Sequence, residues 1–233
     1  MFSHVLVGPK DEAEAMHVAL TGGRLERSLL ALRAGVALAL DTTDTQQVFY
    51  LAIAVDRETL QRVAARLAAD PSGRELIRTR AAIDTKHVDF AALRALPADT
   101  LGGAYARSLE ANGLSPDIFQ RPPGLPEDLA YVAQRARQTH DLWHVLTGLN
   151  TDIPGEVALQ AFTHAQLRQH FSKLIVNFGL LFFGLRYPRM WPLVQRARRA
   201  GSEAKFLLAV RWEDWWSRPL SEVRAEFGVP QLG

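Results

Sequence analysis

The sequence predicts an all-α fold, a multi-helix single domain, from three observations. Segments of convincing length carry apolar residues at helical spacing, as in Leu60, Val63, Ala64 and Leu67. Helix ends are punctuated by Asp70-Pro71, Asn112-Gly113 and Gly148. The 233 residues are 48% hydrophobic and 22% charged, enough to bury a core without disulfides.

Residues 24–40 are Ala- and Leu-rich and read as a buried helix. Residues 46–55 are ambiguous, because Val-Phe-Tyr-Leu-Ala-Ile is a short apolar run that periodicity cannot assign, and they leave room for one small irregular pair. Residues 57–69 read as a helix. Asp70 then caps a short helix to Thr79, with Pro71 in its first turn. A helix over 100–112 closes at Asn112-Gly113. Residues 115–126 hold four prolines and form a loop. A long helix runs from Pro126 to Thr147, and a turn over 148–155 carries helix-start chemistry in Asp152 and Pro154. A second long helix is expected from Pro154 to Gly184. A basic helix around 193–200, a segment with Trp212, Trp215 and Trp216, and a helix ending at Phe227 complete the chain. There is no internal repeat.

Composition narrows the function. With no cysteine, any metal site must use His, Asp or Glu. Basic and acidic residues number 27 and 25 and are interspersed overall, so no nucleic acid is expected as a partner. The apolar runs at 29–40 and 174–185 fall short of the roughly 18–20 residues of a membrane span. The first fifteen residues resemble neither a secretory signal nor a transit peptide, so a soluble, cytoplasmic chain is expected.

Four of the seven histidines lie between 140 and 170. His140 and His144 are four apart and project from one helix face, with Asp141 about 100° round from His140. They continue an apolar line through Leu129, Val132, Ala133, Ala136 and Trp143, so burial obliges them to find partners. Glu156, in the first turn of the next helix, supplies a fourth group across the closed end of a helical hairpin. A divalent ion would satisfy all four. Nitrogen and oxygen ligands suit zinc, with iron and manganese as alternatives. His164 and His170 lie about 12 and 21 Å further along the second helix and belong to a different place. A structural reading stays open: a hydrogen-bonded histidine pair, Asp141 paired with Arg137, and Glu156 favoured by the helix dipole. The 174–185 run and the tryptophans likewise fit core packing or a membrane interface.

The stretch 131–156, YVAQRARQTHDLWHVLTGLNTDIPGE, resembles the coenzyme Q biosynthesis protein Coq-four family, whose signature is His-Asp-x-x-His followed after eleven residues by Glu. The resemblance extends to Asp70-Pro-Ser-Gly-Arg74, Leu96-Pro-Ala-Asp-Thr-Leu-Gly102 with Tyr105, Ser115-Pro-Asp117, Gly201, Glu213 and the 220–229 stretch. It covers residues 24–229 and leaves 1–23 as an N-terminal extension. It implies a zinc ion on His140, Asp141, His144 and Glu156, placed between two antiparallel long helices, and an apolar cavity for a polyprenylated aromatic. It also implies removal of the C1 carboxylate of a polyprenyl-hydroxybenzoate with linked hydroxylation, in which Asp141 or Glu156 carries the proton. The alternative is a non-catalytic prenyl-lipid-binding scaffold; a His-Asp phosphohydrolase lacks its further His and Asp. The expected partners are the substrate or another prenyl lipid, the surface of the inner membrane, other ubiquinone biosynthesis proteins and, left open, a second copy in a homodimer. The chain departs from the family at Ala161-Phe162-Thr163, at Arg168-Gln169-His170, where the family carries Gly-Leu-Pro, and at Gln195-Arg196-Ala197.

Overall fold

The computed structural model describes residues 45–118, 121 and 124–233, with 17–19, 21–23, 25–27 and 29–30 nearer the N-terminus; of residues 45–54 it describes the backbone only. From residue 45 onward the described chain forms nine α-helices: α1 (Thr45–Ala69), α2 (Pro71–Thr79), α3 (Phe90–Ala95), α4 (Leu101–Ala111), α5 (Glu127–Thr147), α6 (Ile153–Leu167), α7 (His170–Phe183), α8 (Met190–Glu203) and α9 (Leu220–Phe227). Short 3-10 turns occur at Pro116–Ile118, Leu207–Ala209 and Trp212–Asp214. No strand forms among the described residues, which bears out the all-α expectation; one isolated antiparallel bridge joins Thr100 and Pro219.

The expected helix starts are present. Asp70, Thr100 and Asp152 each accept a hydrogen bond from the backbone N–H three residues on, which satisfies one of the donors a helix leaves orphaned. Two expectations change. The ambiguous 46–55 stretch is helical and continues into 57–69 as α1, with a kink at Asp56 (φ −114°, ψ 17°). The single helix expected over 154–184 is two, because Arg168 turns left-handed (φ 58°) and closes α6. An arginine in that conformation costs about 1 kcal/mol that a glycine would not. The break and the kink are one event: Asp56 accepts hydrogen bonds from the backbone N–H groups of His170 (2.6 Å) and Phe171 (2.7 Å), so the kinked α1 caps α7. α3 was not among the expected elements. Most of the expected helix at 24–40 lies outside the described residues.

α5 is the central element, buried round most of its circumference instead of along one stripe. Val132, Trp143 and His144 are buried as expected, but Leu129, Ala133, Ala136 and His140 are only partly so. Tyr131, Arg135, Gln138, Thr139 and Leu142 bury the rest. Its neighbours are α1, α4, α2, α9 and the turn at Leu207–Ala209. α6 packs mainly on α8 and α7, and nears the backbone of α5 over only a short stretch. Gly201 permits the close approach of α8, since a Cβ there would stand 2.6 Å from the Phe162 carbonyl oxygen.

One buried charge on α5 is paired across the core. Arg135, fully buried, donates to both Glu213 carboxylate oxygens (2.7 and 3.0 Å) and to the Val210 carbonyl. Burial pushes the Glu213 carboxyl up, but the guanidinium outweighs it and the net shift is downward. The stabilisation is therefore present above the ordinary carboxylate value of about 4.3 and is lost as pH falls through the lower folded-state value. Glu213→Gln should cost about 3 kcal/mol at neutral pH, because it leaves a buried cation without its counter-charge. Urea denaturation should show the gap from wild type shrinking below about pH 4. A gap unchanged in acid would contradict this account.

Candidate metal centre

The C-terminal end of α5 leaves carbonyls without helical partners, and the end of the chain supplies them. Arg224 donates to the Leu146 (2.8 Å) and Val145 (3.3 Å) carbonyls, and Leu232 N–H donates to Thr147 (2.8 Å). Gly148 then turns left-handed (φ 72°), returning its N–H to the His144 carbonyl. Across the connector, the N-cap Asp152 holds Gly155 N–H at 2.9 Å. A Cβ on Gly155 would stand 2.0 Å from the Asn150 carbonyl oxygen, so only glycine admits this tight entry. Cap and glycine together place Glu156 in the first turn of α6, facing the last turns of α5.

The His144 ring is used at both nitrogens. Nδ1 lies 3.0 Å from the Leu149 carbonyl oxygen, an acceptor, so Nδ1 carries a proton. Nε2 lies 3.0 Å from Glu156 Oε1, and His140 Nε2 lies 3.6 Å from Oε2 of the same carboxylate. The two imidazoles stand edge to face, centroids 5.2 Å apart. Trp143, beside them, meets Phe162 of α6 edge-on at 5.8 Å. His144 is buried, whereas 42% of the Glu156 side chain is exposed.

Of the four residues expected at the ion, the structure brings together His140, His144 and Glu156, whose candidate ligand atoms all lie within 4.8 Å of one another. Asp141 stands beside that group and not in it. The reason is angular: His140 and His144 are about 40° apart around the helix, and Asp141 is about 100° from His140. Burial raises its carboxyl pKa, with Glu156 adding to the rise and the two histidines opposing it. Tyr105 is close enough for the Asp141 charge, after burial, to push its phenol up. Arg137 precedes Asp141 by one turn, and burial lowers its guanidinium to about 10. In the sequence it figures only as an alternative partner of Asp141, and periodicity could not show that it is half-buried. His164 and His170 lie apart from the group, as expected: His164 faces the Gln169 carbonyl and His170 faces Asp56.

The three residues fit a divalent ion. Two ligands each 2.0–2.2 Å from a tetrahedral ion stand about 3.4 Å apart, and the 3.0 and 3.6 Å separations bracket that value. A backbone carbonyl holding the far nitrogen of a ligating histidine is the usual way such a ring is oriented. Beside the site, a polar cleft of about 490 Å³ opens between the end of α4 and the connector, lined by Ser108, Asn112, Thr151 and Asp152 as well as His144.

A family model described as Coenzyme Q (ubiquinone) biosynthesis protein Coq4 matches residues 15–232. The chain belongs to the Coq4 family. That family is involved in ubiquinone biosynthesis. Among its relatives, the mitochondrial ubiquinone biosynthesis protein COQ4 of Coccidioides immitis is 33% identical over 219 residues, covering 91% of this chain and 72% of that protein. The mitochondrial COQ4 of Arthroderma otae is 33% identical over 172 residues, 73% of this chain and 64% of that protein, so this chain spans just under two thirds of that relative. A crystal structure of a Nostoc punctiforme protein assigned to ubiquinone biosynthesis superposes with a TM-score of 0.70 at 28% identity, covering 87% of this chain and 96% of that one.

The metal-free site has its own pH signature. Burial pushes the Glu156 carboxyl up, but hydrogen bonds from His140 and His144 and their charges hold it down at about 2. Burial likewise lowers His144, and Glu156 overcomes that, so the net shift is upward. Glu156 therefore stabilises the fold above about 4.3 and loses that contribution as pH falls toward 2. His144 stabilises fully below about 6.5 and loses its contribution as pH rises through its folded-state value. A metal must displace the Nε2 proton, so its binding strengthens with pH. At equal free zinc, the melting temperature should rise several degrees more at pH 8 than at pH 6, by scanning fluorimetry. An equal or larger gain at pH 6 would contradict the ligand assignment.

Proposed function

We propose that the chain is a zinc-dependent decarboxylase acting at C1 of a polyprenylated hydroxybenzoate, in the synthesis of ubiquinone or a related prenylquinone. One observation carries the reading: three candidate nitrogen and oxygen ligand atoms converge on one point, while a second acid, Asp141, stands beside them with its proton favoured by burial. Three protein ligands with one open position is the pattern of a catalytic zinc, whereas four would close it.

When bound, zinc supplies Lewis acidity to the substrate's carboxylate or neighbouring phenolate. His144, held at Nδ1 by Leu149, fixes the direction of its Nε2, and Glu156 ties α6 to the same point. Breaking the ring–carboxylate bond releases carbon dioxide and leaves the electron pair on the ring carbon, which must take a proton. Asp141 is the group to deliver it, because a carboxyl raised by burial holds its proton nearer neutral pH. Arg137, one turn away and half-buried, is a cation that could help hold an anionic ring. The linked hydroxylation replaces that ring hydrogen with one oxygen atom of dioxygen, and a two-electron donor from outside the chain reduces the other oxygen atom to water.

The polyprenyl chain calls for an apolar cavity, and the substrate's lipid nature calls for a peripheral position on the inner membrane, in company with other ubiquinone biosynthesis proteins. No helix of the described residues is long and apolar enough to cross a membrane, and the curated relatives named above are called mitochondrial. A prenyl-lipid-binding scaffold without catalysis is the second reading. It is favoured by the fact that the His144–Glu156 contact by itself joins α5 to α6.

Two substitutions separate the readings. Asp141→Asn should keep zinc content and melting temperature but lower decarboxylation of a prenylated hydroxybenzoate by roughly a hundredfold or more, the usual scale of a lost general acid. Glu156→Gln should lower zinc affinity and activity together. Wild-type turnover in Asp141→Asn, or full complementation by a folded, metal-free Glu156→Gln protein, would favour the scaffold.

A further inference from the structure

α7 is amphipathic in an unusual sense. Its inner face buries Phe171, Val176 and Gly179. Gly179 lies so close to α6 that a Cβ would stand 2.4 Å from the Val157 side chain, the residue next to Glu156. Its outer face is apolar as well. Leu174, Phe178, Leu181 and Phe182, at helical spacing, are 37 to 73% exposed; Leu185, in the turn that follows α7, is 100% exposed, and Trp191 at the start of α8 is 58% exposed. Phe178 and Phe182 stack on each other with centroids 5.8 Å apart, facing outward. A contiguous apolar surface of this kind on a folded chain marks a docking face.

Charge decides what docks there. Between Glu156 and Glu203 the sequence contains no Asp or Glu, but seven cations: Arg168, Lys173, Arg186, Arg189, Arg196, Arg198 and Arg199. All seven are exposed, and Arg199 is paired with Glu203 at 2.8 Å. The interspersion of charges across the whole chain hides this local excess. Two copies meeting through this face would set cation against cation, and a partner protein would need a matching acidic rim round an apolar centre. A bilayer with anionic headgroups offers both components at once: acyl chains for the aromatic and leucine side chains, and negative headgroups for the basic rim.

We propose that the outer face of α7, continued through Leu185 and Trp191, is the surface by which the protein seats on an anionic lipid bilayer. The proposal deepens the membrane-surface part of the function proposed above and rests on that reading. It adds an orientation. α7 is backed directly by α6, the helix that carries Glu156, with the two axes about 8–10 Å apart, so the candidate metal centre belongs to the layer behind the lipid-facing helix. The N-terminus of α7 is fixed by the buried Asp56 carboxylate, which accepts from its first two backbone N–H groups.

The test uses the full chain with vesicles of phosphatidylcholine alone and of phosphatidylcholine mixed with phosphatidylglycerol. Wild type should float with the mixed vesicles and much less with phosphatidylcholine alone. The pair Leu181→Ser and Phe182→Ser should lower partitioning about tenfold or more, with near-ultraviolet circular dichroism and zinc content unchanged, since both side chains are largely exposed. The pair Arg186→Glu and Arg189→Glu should abolish the preference for phosphatidylglycerol, which keeps the proposal testable if the first pair misfolds. Brominated acyl chains should quench tryptophan emission in wild type and not in Trp191→Phe. Glu156→Gln should float as wild type does, so a failure of the metal reading and a failure of docking are read separately. Equal flotation of wild type and both paired variants would overturn the proposal. So would a wild-type dimer in sedimentation that the Leu181→Ser and Phe182→Ser pair converts to monomer while lipid binding persists.

Discussion

The site depends on one constraint: a histidine held at both ring nitrogens. His144 can aim Nε2 at Glu156 only because the chain reverses at Gly148 and brings the Leu149 carbonyl under Nδ1. Everything around the connector serves that reversal. The Arg224 guanidinium and the Leu232 amide take up the last carbonyls of α5, Asp152 starts α6, and Gly155 lets the first turn of α6 close against Asn150. A buried imidazole without these partners would lose its hydration and gain nothing in return.

The motifs shared with the Coq4 family divide along the same line. His140, His144 and Glu156 form the candidate site, while the other positions quoted for the resemblance build the frame that presents it. Asp70 caps α2, and Gly73 in that motif packs so closely that a Cβ would meet the Leu67 carbonyl at 2.1 Å. Tyr105 stacks on Trp216, Asp117 binds both the amide and the hydroxyl of Thr85, and Glu213 neutralises the buried Arg135. Arg168-Gln169-His170 falls at the α6–α7 break, where Arg168 itself takes the left-handed turn although it is not a glycine.

Local chemistry was legible in the sequence and long-range pairing was not. The i, i+4 histidines, the cap at Asp152 and the stop at Gly148 each act over a few residues, so residue types alone placed them. The all-α class followed from the same signals. The kink in α1 and the break before α7 were not legible, because both depend on a carboxylate at Asp56 meeting amides 114 and 115 residues away. The all-round burial of α5 escaped for a related reason: Arg135 reads as a surface residue until Glu213, 78 residues on, is folded against it. Asp141 was grouped with the ligands because the motif contains it, although its place on the helix sets it beside them.

The most direct test of this account is the protonation of the histidine rings, read by long-range proton–nitrogen correlation in zinc-loaded, nitrogen-15-labelled protein with His140→Gln and His144→Gln variants for assignment. The account predicts that His144 keeps its proton on Nδ1, hydrogen-bonded to the Leu149 carbonyl, while Nε2 shows the shift of a metal-bound nitrogen. A His144 ring that remains protonated at Nε2 with zinc in excess, or that is unprotonated at Nδ1, would contradict it.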